Sequence, residues 1–219
     1  DKGGLMSVLQ PRQITPLMLL GGKGSGKTHL LRYCSAPVQA ARHNNNLSDA
    51  IKKERFVGVY APTEALKPHR FADKGQTSEA WADIFAMYFE LWLVTALLEI
   101  IADHCATEIE PKVDADLAEA IADLFDVDVH GEFATLNGTI DYLVRVRKTI
   151  DFVANNSALR GDLGTLTVPF SHGRLIFGVP PILERLMGVM SNVTVVYLVD
   201  EAENLTVNQQ KFLNTLIRY

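Results

Sequence analysis

The sequence predicts an α/β fold: helices flanking a parallel sheet that carries a phosphate-binding loop. Three observations predict it. The first is Gly21-Gly22-Lys23-Gly24-Ser25-Gly26-Lys27-Thr28, a glycine, four intervening residues and then Gly-Lys-Thr. The second is its setting, with an apolar run Leu17-Met18-Leu19-Leu20 before it and a helical stretch, Thr28 to Ser35, after it. The third is the apolar, β-branched run Val193 to Val199, which ends in Asp200-Glu201. A strand buried on both faces of a parallel sheet reads this way, and open α/β sheets place their ligands beyond the C-terminal ends of such strands.

The loop's chemistry follows from its residue types. Glycines allow positive φ and let an anion reach the backbone without meeting a Cβ. A strand that turns through glycines into a helix aims several N–H groups at one point, with the helix dipole adding positive character there. Lys27 has the reach for the β- and γ-phosphates, the Thr28 hydroxyl stands where Mg²⁺ would bind, and Lys23 adds charge at the lip. The competing reading is a bare glycine turn. At the end of the second run, Asp200 suits the metal and Glu201 suits polarisation of an attacking water. The competing reading there is an acid pair that only caps the following helix.

The elements follow in order. Residues 1 to 16, with Pro11 and Pro16, form an approach segment. Strand one is Leu17 to Leu20, and its loop and helix end near Pro37. Asn44-Asn45-Asn46 marks a loop, and a short helix capped by Ser48 runs to Glu54. Phe56 to Tyr60 reads as the second strand and Lys67 to Gln76 as a loop. Thr77 or Ser78 caps a long helix to about Cys105 with Trp81, Ile84, Phe85, Tyr88 and Trp92 at helical spacing. That helix is apolar nearly all round and so belongs inside. A base-stacking role for its aromatic stripe is the alternative to a core role.

Further on, Val113 to Phe125 forms a helix with a solvated acidic face. Asp126 to Gly138 is a turn-rich link, and Leu136 to Ala154 a third long helix. Its Arg145, Arg147 and Lys148 form the strongest basic cluster, read as a solvated face rather than a nucleic-acid contact. Thr165 to Val168 and Leu175 to Phe177 suggest a small hairpin around Ser171-His172-Gly173. Pro180-Pro181 then opens a helix from Ile182 to Met190. Thr206 caps the last helix, from Val207.

Composition narrows the class. The chain has 219 residues, 47% hydrophobic and 21% charged, an ordinary globular balance. Its net charge of −5 does not support a dominant nucleic-acid surface. Cys34 and Cys105 are too far apart in sequence for a metal or disulfide pattern, which points to a reducing cytoplasm. No signal peptide is visible. The apolar stretch Ile84 to Ile101 is broken by Glu90 and Glu99 and is not read as a membrane span. Because no Asn-Lys-x-Asp guanine-reading pattern occurs, the base preference leans to ATP.

Taken together, the loop and Leu198-Val199-Asp200-Glu201-Ala202-Glu203-Asn204-Leu205, followed by Gln209 to Ile217, resemble the AAA+ superfamily. The nearest branch is the prokaryotic ATPases grouped with origin-recognition-complex proteins, which borders on the STAND signalling ATPases. The aromatic helix Trp81 to Leu98 is similar to that branch, whereas residues 102 to 192 match only generically. The resemblance implies Lys27 on the phosphates, Thr28 and Asp200 on Mg²⁺, and Glu201 as catalytic base. Gly22, Lys23, Gly24, Ser25, Gly26 and His29 complete the expected ATP contacts.

The expected architecture is a P-loop NTPase parallel-sheet core with a large helical insertion, an incomplete AAA+ module. Residues 1–76 and 193–219 supply the core and residues 77–192 the insertion. Later strands, sensor residues, a trans-acting arginine and a lid, all implied by the resemblance, lie outside this segment. The expected function is Mg²⁺-dependent ATP hydrolysis coupled to assembly or remodelling, in DNA transactions or phage defence. The alternative is a STAND-like nucleotide-gated switch that hydrolyses little and recruits an effector. A small-molecule kinase fits less well, because the acid pair comes late. Expected partners are copies of the chain or an effector complex, with no membrane.

Overall fold

A computed structural model describes residue 11, residues 16–71, 77–160, residue 166 and residues 169–216. The helices and strands are α1 (Lys27–Tyr33), α2 (Ala36–Arg42), α3 (Leu47–Glu54), β1 (Phe56–Pro62), α4 (Ser78–His104), α5 (Pro111–Ala122), α6 (Leu136–Arg160), α7 (Arg174–Leu186), β2 (Thr194–Asp200) and α8 (Val207–Leu216). Among the described residues the sheet has two strands, β1 and β2, paired in parallel with Phe56 opposite Thr194 and Pro62 opposite Asp200.

Side chains alternate across a strand, so the register sorts the sheet into two faces. Val57, Val59 and Ala61 of β1 join Val195, Tyr197 and Val199 of β2 in the main core, which α4 closes. Phe56, Tyr60, Val196 and Leu198 pack on the other face against Leu31, Tyr33 and Cys34 of α1 and its C-terminal cap. The outer edge of β1 is closed by one buried side chain. The Gln39 amide donates to the Phe56 carbonyl at 3.1 Å and accepts from the Gly58 N–H at 3.0 Å. It thereby stands in for a third strand where an unpaired backbone group would otherwise be buried.

Helix α4 is the hydrophobic anchor. Phe85, Phe89, Leu91, Leu93, Leu97, Leu98 and Ile101 are all less than 2% exposed. Full burial of each such side chain stabilises by about 1.5–3 kcal/mol. Neighbours on every side explain its all-round apolarity: β1, α6, α7 and α8 pack against it. The aromatic stripe is core, with Trp81, Ile84, Phe85 and Tyr88 buried and Trp92 packed at its margin. Although α4 is long and apolar enough to span a membrane, most of that stretch is covered within the fold. The hydrophobic core runs without a break from the sheet into α4, α5, α6 and α7.

Glu90, one of the two charges that interrupt α4's apolar stretch, is fully buried. Its carboxylate accepts from the backbone N–H groups of Gly173, Leu175 and Ile176 at 2.9, 2.7 and 3.0 Å. These are among the N-terminal donors that a helix cannot satisfy within itself. Burial raises the Glu90 pKa, and the three backbone donors oppose that rise.

Several sequence expectations need correction. Leu17 to Leu20 form no strand; the backbone is irregular, and Leu17, Met18 and Leu20 are 56%, 69% and 86% exposed. An apolar run becomes a strand only where a neighbour completes its ladder, and none lies beside it among the described residues. For the same reason β2 is an edge strand and most of its side chains are half-buried rather than enclosed on both faces. Leu175 to Phe177 lie in α7, not in a hairpin, because Glu90 starts that helix at Gly173. The proposed hairpin partner, Thr165 to Val168, falls mostly outside the described residues. Pro180 and Pro181 sit inside α7 instead of opening a helix. Each interior proline costs about 3 kcal/mol or more, offset by burial of Leu175, Ile176, Val179, Ile182 and Leu183.

One capping assignment changes and two agree. Asn46, not Ser48, caps α3 by accepting from Asp49 N–H at 3.0 Å. On α5, Asp114 is more than solvated surface: it accepts from Leu136 N–H at 2.7 Å and so caps α6 from outside. Thr77 caps α4 through Ala80 N–H. Thr206 and Gln209 cap each other's backbone at α8, the reciprocal arrangement of a capping box.

Candidate functional site

The glycine loop runs directly into α1. Gly24 and Gly26 have φ of +84° and +89°, conformations that a side chain would strain. A Cβ on Gly22, Gly24 or Gly26 would meet no atom within 4 Å, so the backbone at these three positions borders open space. The turn closes through Ser25 N–H to Gly22 O at 3.2 Å. The Lys27 ammonium folds over this backbone, donating to Gly21 O at 2.6 Å and Gly22 O at 3.2 Å. Lys23, Ser25 and His29 are exposed, and Thr28 is half-buried in the first turn of α1.

One glycine positions the helix. A Cβ on Gly58 would lie 1.9 Å from the Cys34 carbonyl oxygen, so only glycine lets the end of α1 rest on β1. Cys34 meets Gly58, while Arg32 meets Tyr60 through a 3.4 Å contact from Nε to the hydroxyl. As α1 advances it therefore descends the sheet face from the C-terminal ends of the strands. Thr28 is one turn before Arg32, on the same helix face and about 6 Å back along the axis. Asp200 lies two residues past Leu198, the partner of Tyr60, or about 7 Å further along the strand. Both displacements run toward the same end of the sheet. Alternation places the Asp200 side chain on the α1 face, with that of Leu198.

The acid pair divides. Asp200 is 4% exposed and holds two donors, the Tyr60 hydroxyl at 2.7 Å on Oδ2 and the Glu201 N–H at 3.0 Å on Oδ1. Glu201 takes a left-handed backbone, φ +59°. Its carbonyl accepts from the buried Thr63 hydroxyl at 2.6 Å, and Asn204 Nδ2 reaches its carboxylate at 3.4 Å. The hydrogen bond with Tyr60, with further help from the charges of Asp200 and Glu201, raises the Arg32 pKa. Burial, joined by the Asp200 carboxylate and opposed by Arg32, lifts the Tyr60 phenol above its ordinary value. The phenol is thus a proton donor at neutral pH.

The structure brings the helix of the glycine loop and Asp200-Glu201 to one face and one end of the sheet. Sequence reasoning missed Arg32, Tyr60 and Thr63. A weak signal existed for the first two. Arg32 is four residues after Thr28, and Tyr60 puts a hydroxyl near the end of an otherwise apolar strand. Among the described residues, no group of three or more His, Cys, Asp or Glu side chains could hold a metal ion.

No curated protein and no solved structure matches the chain. A family model described as ORC-CDC6-like matches residues 6–219, nearly the whole length. This chain belongs to the ORC-CDC6-like family and is an AAA+ nucleotide-binding module of that family.

Proposed function

We propose that the chain binds ATP with Mg²⁺ at the glycine loop and hydrolyses it, converting nucleotide state into assembly or remodelling of a larger complex. The observation that carries this reading is the shared face: α1 lies against β2, and Arg32, Tyr60 and Asp200 join the two elements by side-chain contacts. In this reading the loop's backbone, with Gly22, Gly24, Ser25 and Gly26, cradles phosphates, and Lys27 turns from the Gly21 and Gly22 carbonyls onto them. Lys23 and His29 line the lip. The residues suit Mg²⁺, which keeps several waters and is held by few protein groups plus phosphate oxygens. The Thr28 hydroxyl and the free lone pairs of Asp200 are such groups, so no three-residue cluster is needed.

When bound, Mg²⁺–ATP supplies the reactive γ-phosphoryl group and neutralises its charge. Glu201 accepts the proton of the attacking water, a task worth about 10²–10⁴-fold in rate. Copies of the chain or an effector protein, in the cytoplasm, are the partners this reading assigns.

The test uses the full-length protein. Glu201→Gln is expected to lower steady-state ATP turnover by about 10²–10⁴-fold while still binding nucleotide. Lys27→Ala is expected to lose both binding and turnover. Wild-type turnover in both variants refutes the proposal.

A further inference from the structure

We infer that Arg32 and Tyr60 are positioning residues that hold the Asp200 carboxylate at a set distance from the face of α1 carrying Thr28. The inference rests on the proposed ATP–Mg²⁺ site and goes beyond it by assigning two residues to its assembly.

The hydrogen-bond directions follow from the groups themselves. Arg32 Nε–H can only donate, and it meets the Tyr60 hydroxyl at 3.4 Å. That contact uses an oxygen lone pair and leaves the single phenolic proton for Asp200 Oδ2, 2.7 Å away. Oδ1 is held at 3.0 Å by the N–H of Glu201, whose left-handed backbone is itself pinned through its carbonyl by Thr63. Two donors therefore fix the carboxylate, and each oxygen keeps a lone pair. Tyr60 already packs against the small cluster of Cys34, Phe56 and Leu198, a role phenylalanine would fill equally well. The hydroxyl is the part that packing does not explain.

Helix geometry supplies the rest. Thr28 and Arg32 are one turn apart on the same side of α1. The chain Arg32–Tyr60–Asp200 thus spans from the helix that carries one proposed metal-binding oxygen to the strand that carries the other. Without it, the carboxylate keeps only the Glu201 N–H as a donor, which ties it to its own strand end and not to α1.

Outer partners of this kind typically change metal affinity by about 10–100-fold when removed. Binding of a fluorescent ATP analogue to the full-length protein is titrated with Mg²⁺ and with EDTA, for wild type, Tyr60→Phe and Arg32→Gln. Tyr60→Phe is expected to raise the Mg²⁺ concentration for half-maximal binding about tenfold and to leave affinity in EDTA unchanged. Arg32→Gln, an exposed surface change that does not threaten folding, is expected to shift it in the same direction. Tyr60→Phe/Arg32→Gln together should do no more than Tyr60→Phe alone.

Wild-type Mg²⁺ dependence in both single variants overturns the assignment while leaving the ATP site standing. Equal loss of affinity in Mg²⁺ and in EDTA overturns it too, since that is damage to the phosphate loop. A wild-type protein that binds no nucleotide in either condition overturns the site and this assignment with it.

Discussion

Gly58→Ala tests the contact that seats the phosphate-loop helix on the sheet. The new methyl would stand 1.9 Å from the Cys34 carbonyl oxygen, 2.8 Å from its carbon and 3.0 Å from Leu198 Cδ1. Leu198 can rotate away, but the Cys34 backbone cannot. Cys34 N–H closes α1 on Leu31 O, and Ser35 is already bonded back to Arg32 O by both its N–H and its hydroxyl. With close contact beginning near 3.4 Å, the end of α1 must retreat by about 1.5 Å. Overpacking of this kind costs about 1–3 kcal/mol. That corresponds to a fall in Tm of about 2–12 °C for a chain this long.

The same shift carries Arg32, two residues earlier, off Tyr60 and loosens the register between Thr28 and Asp200. Misplacement of about 1 Å near a reacting centre can cost about 10²-fold in rate. Urea unfolding followed by tryptophan fluorescence reads the stability, and ATP turnover of the folded fraction reads the site. Gly131→Ala is the control, since a Cβ there meets nothing within 4 Å, and it should stay within about 0.5 kcal/mol of wild type. If Gly58→Ala matches Gly131→Ala in both assays, α1 does not rest on β1 as described and the shared face loses its support.

Two further predictions concern the buried Glu90 and the half-buried Glu54. Glu90→Leu leaves the Gly173, Leu175 and Ile176 N–H groups without their acceptor. At about 1–3 kcal/mol per unsatisfied donor, urea unfolding should show a loss of at least about 3 kcal/mol; a loss below about 1 kcal/mol contradicts the capping role. The pH dependence of two acids should differ in sign. Although burial opposes it, hydrogen bonds from Gln39, Arg42 and His43 hold the Glu54 pKa low. Its contribution is complete above the unfolded value of about 4.3 and is lost as pH falls through the lowered folded value. The Glu90 pKa is raised, so its contribution is complete below about pH 4.3 and declines as pH rises through the folded value. Unfolding free energy against pH should therefore lose part of its acid-side fall in Glu54→Gln. An unchanged acid limb in that variant refutes the assignment.

What the chain determines by itself is whatever depends on neighbours in sequence. The glycine loop could be read because its chemistry lies in one short run of residues. The caps at Thr77 and Thr206 could be read because each bonds a backbone group three residues away. The burial of α4 could be read because a helix with no polar face has nowhere else to go. Tertiary structure decided the rest, because the deciding partner is remote in sequence. Leu17 to Leu20 carry strand chemistry but find no ladder. Leu175 and its neighbours become helix because Glu90, 85 residues earlier, accepts their N–H groups. Gln39 closes an edge that sequence alone would assign to another strand. Asp200 was legible as a carboxylate at the end of a strand, but its orientation was not. Tyr60, which aims it, is 140 residues away in sequence and 2.7 Å away in space, and only the parallel register of β1 with β2 brings the two together.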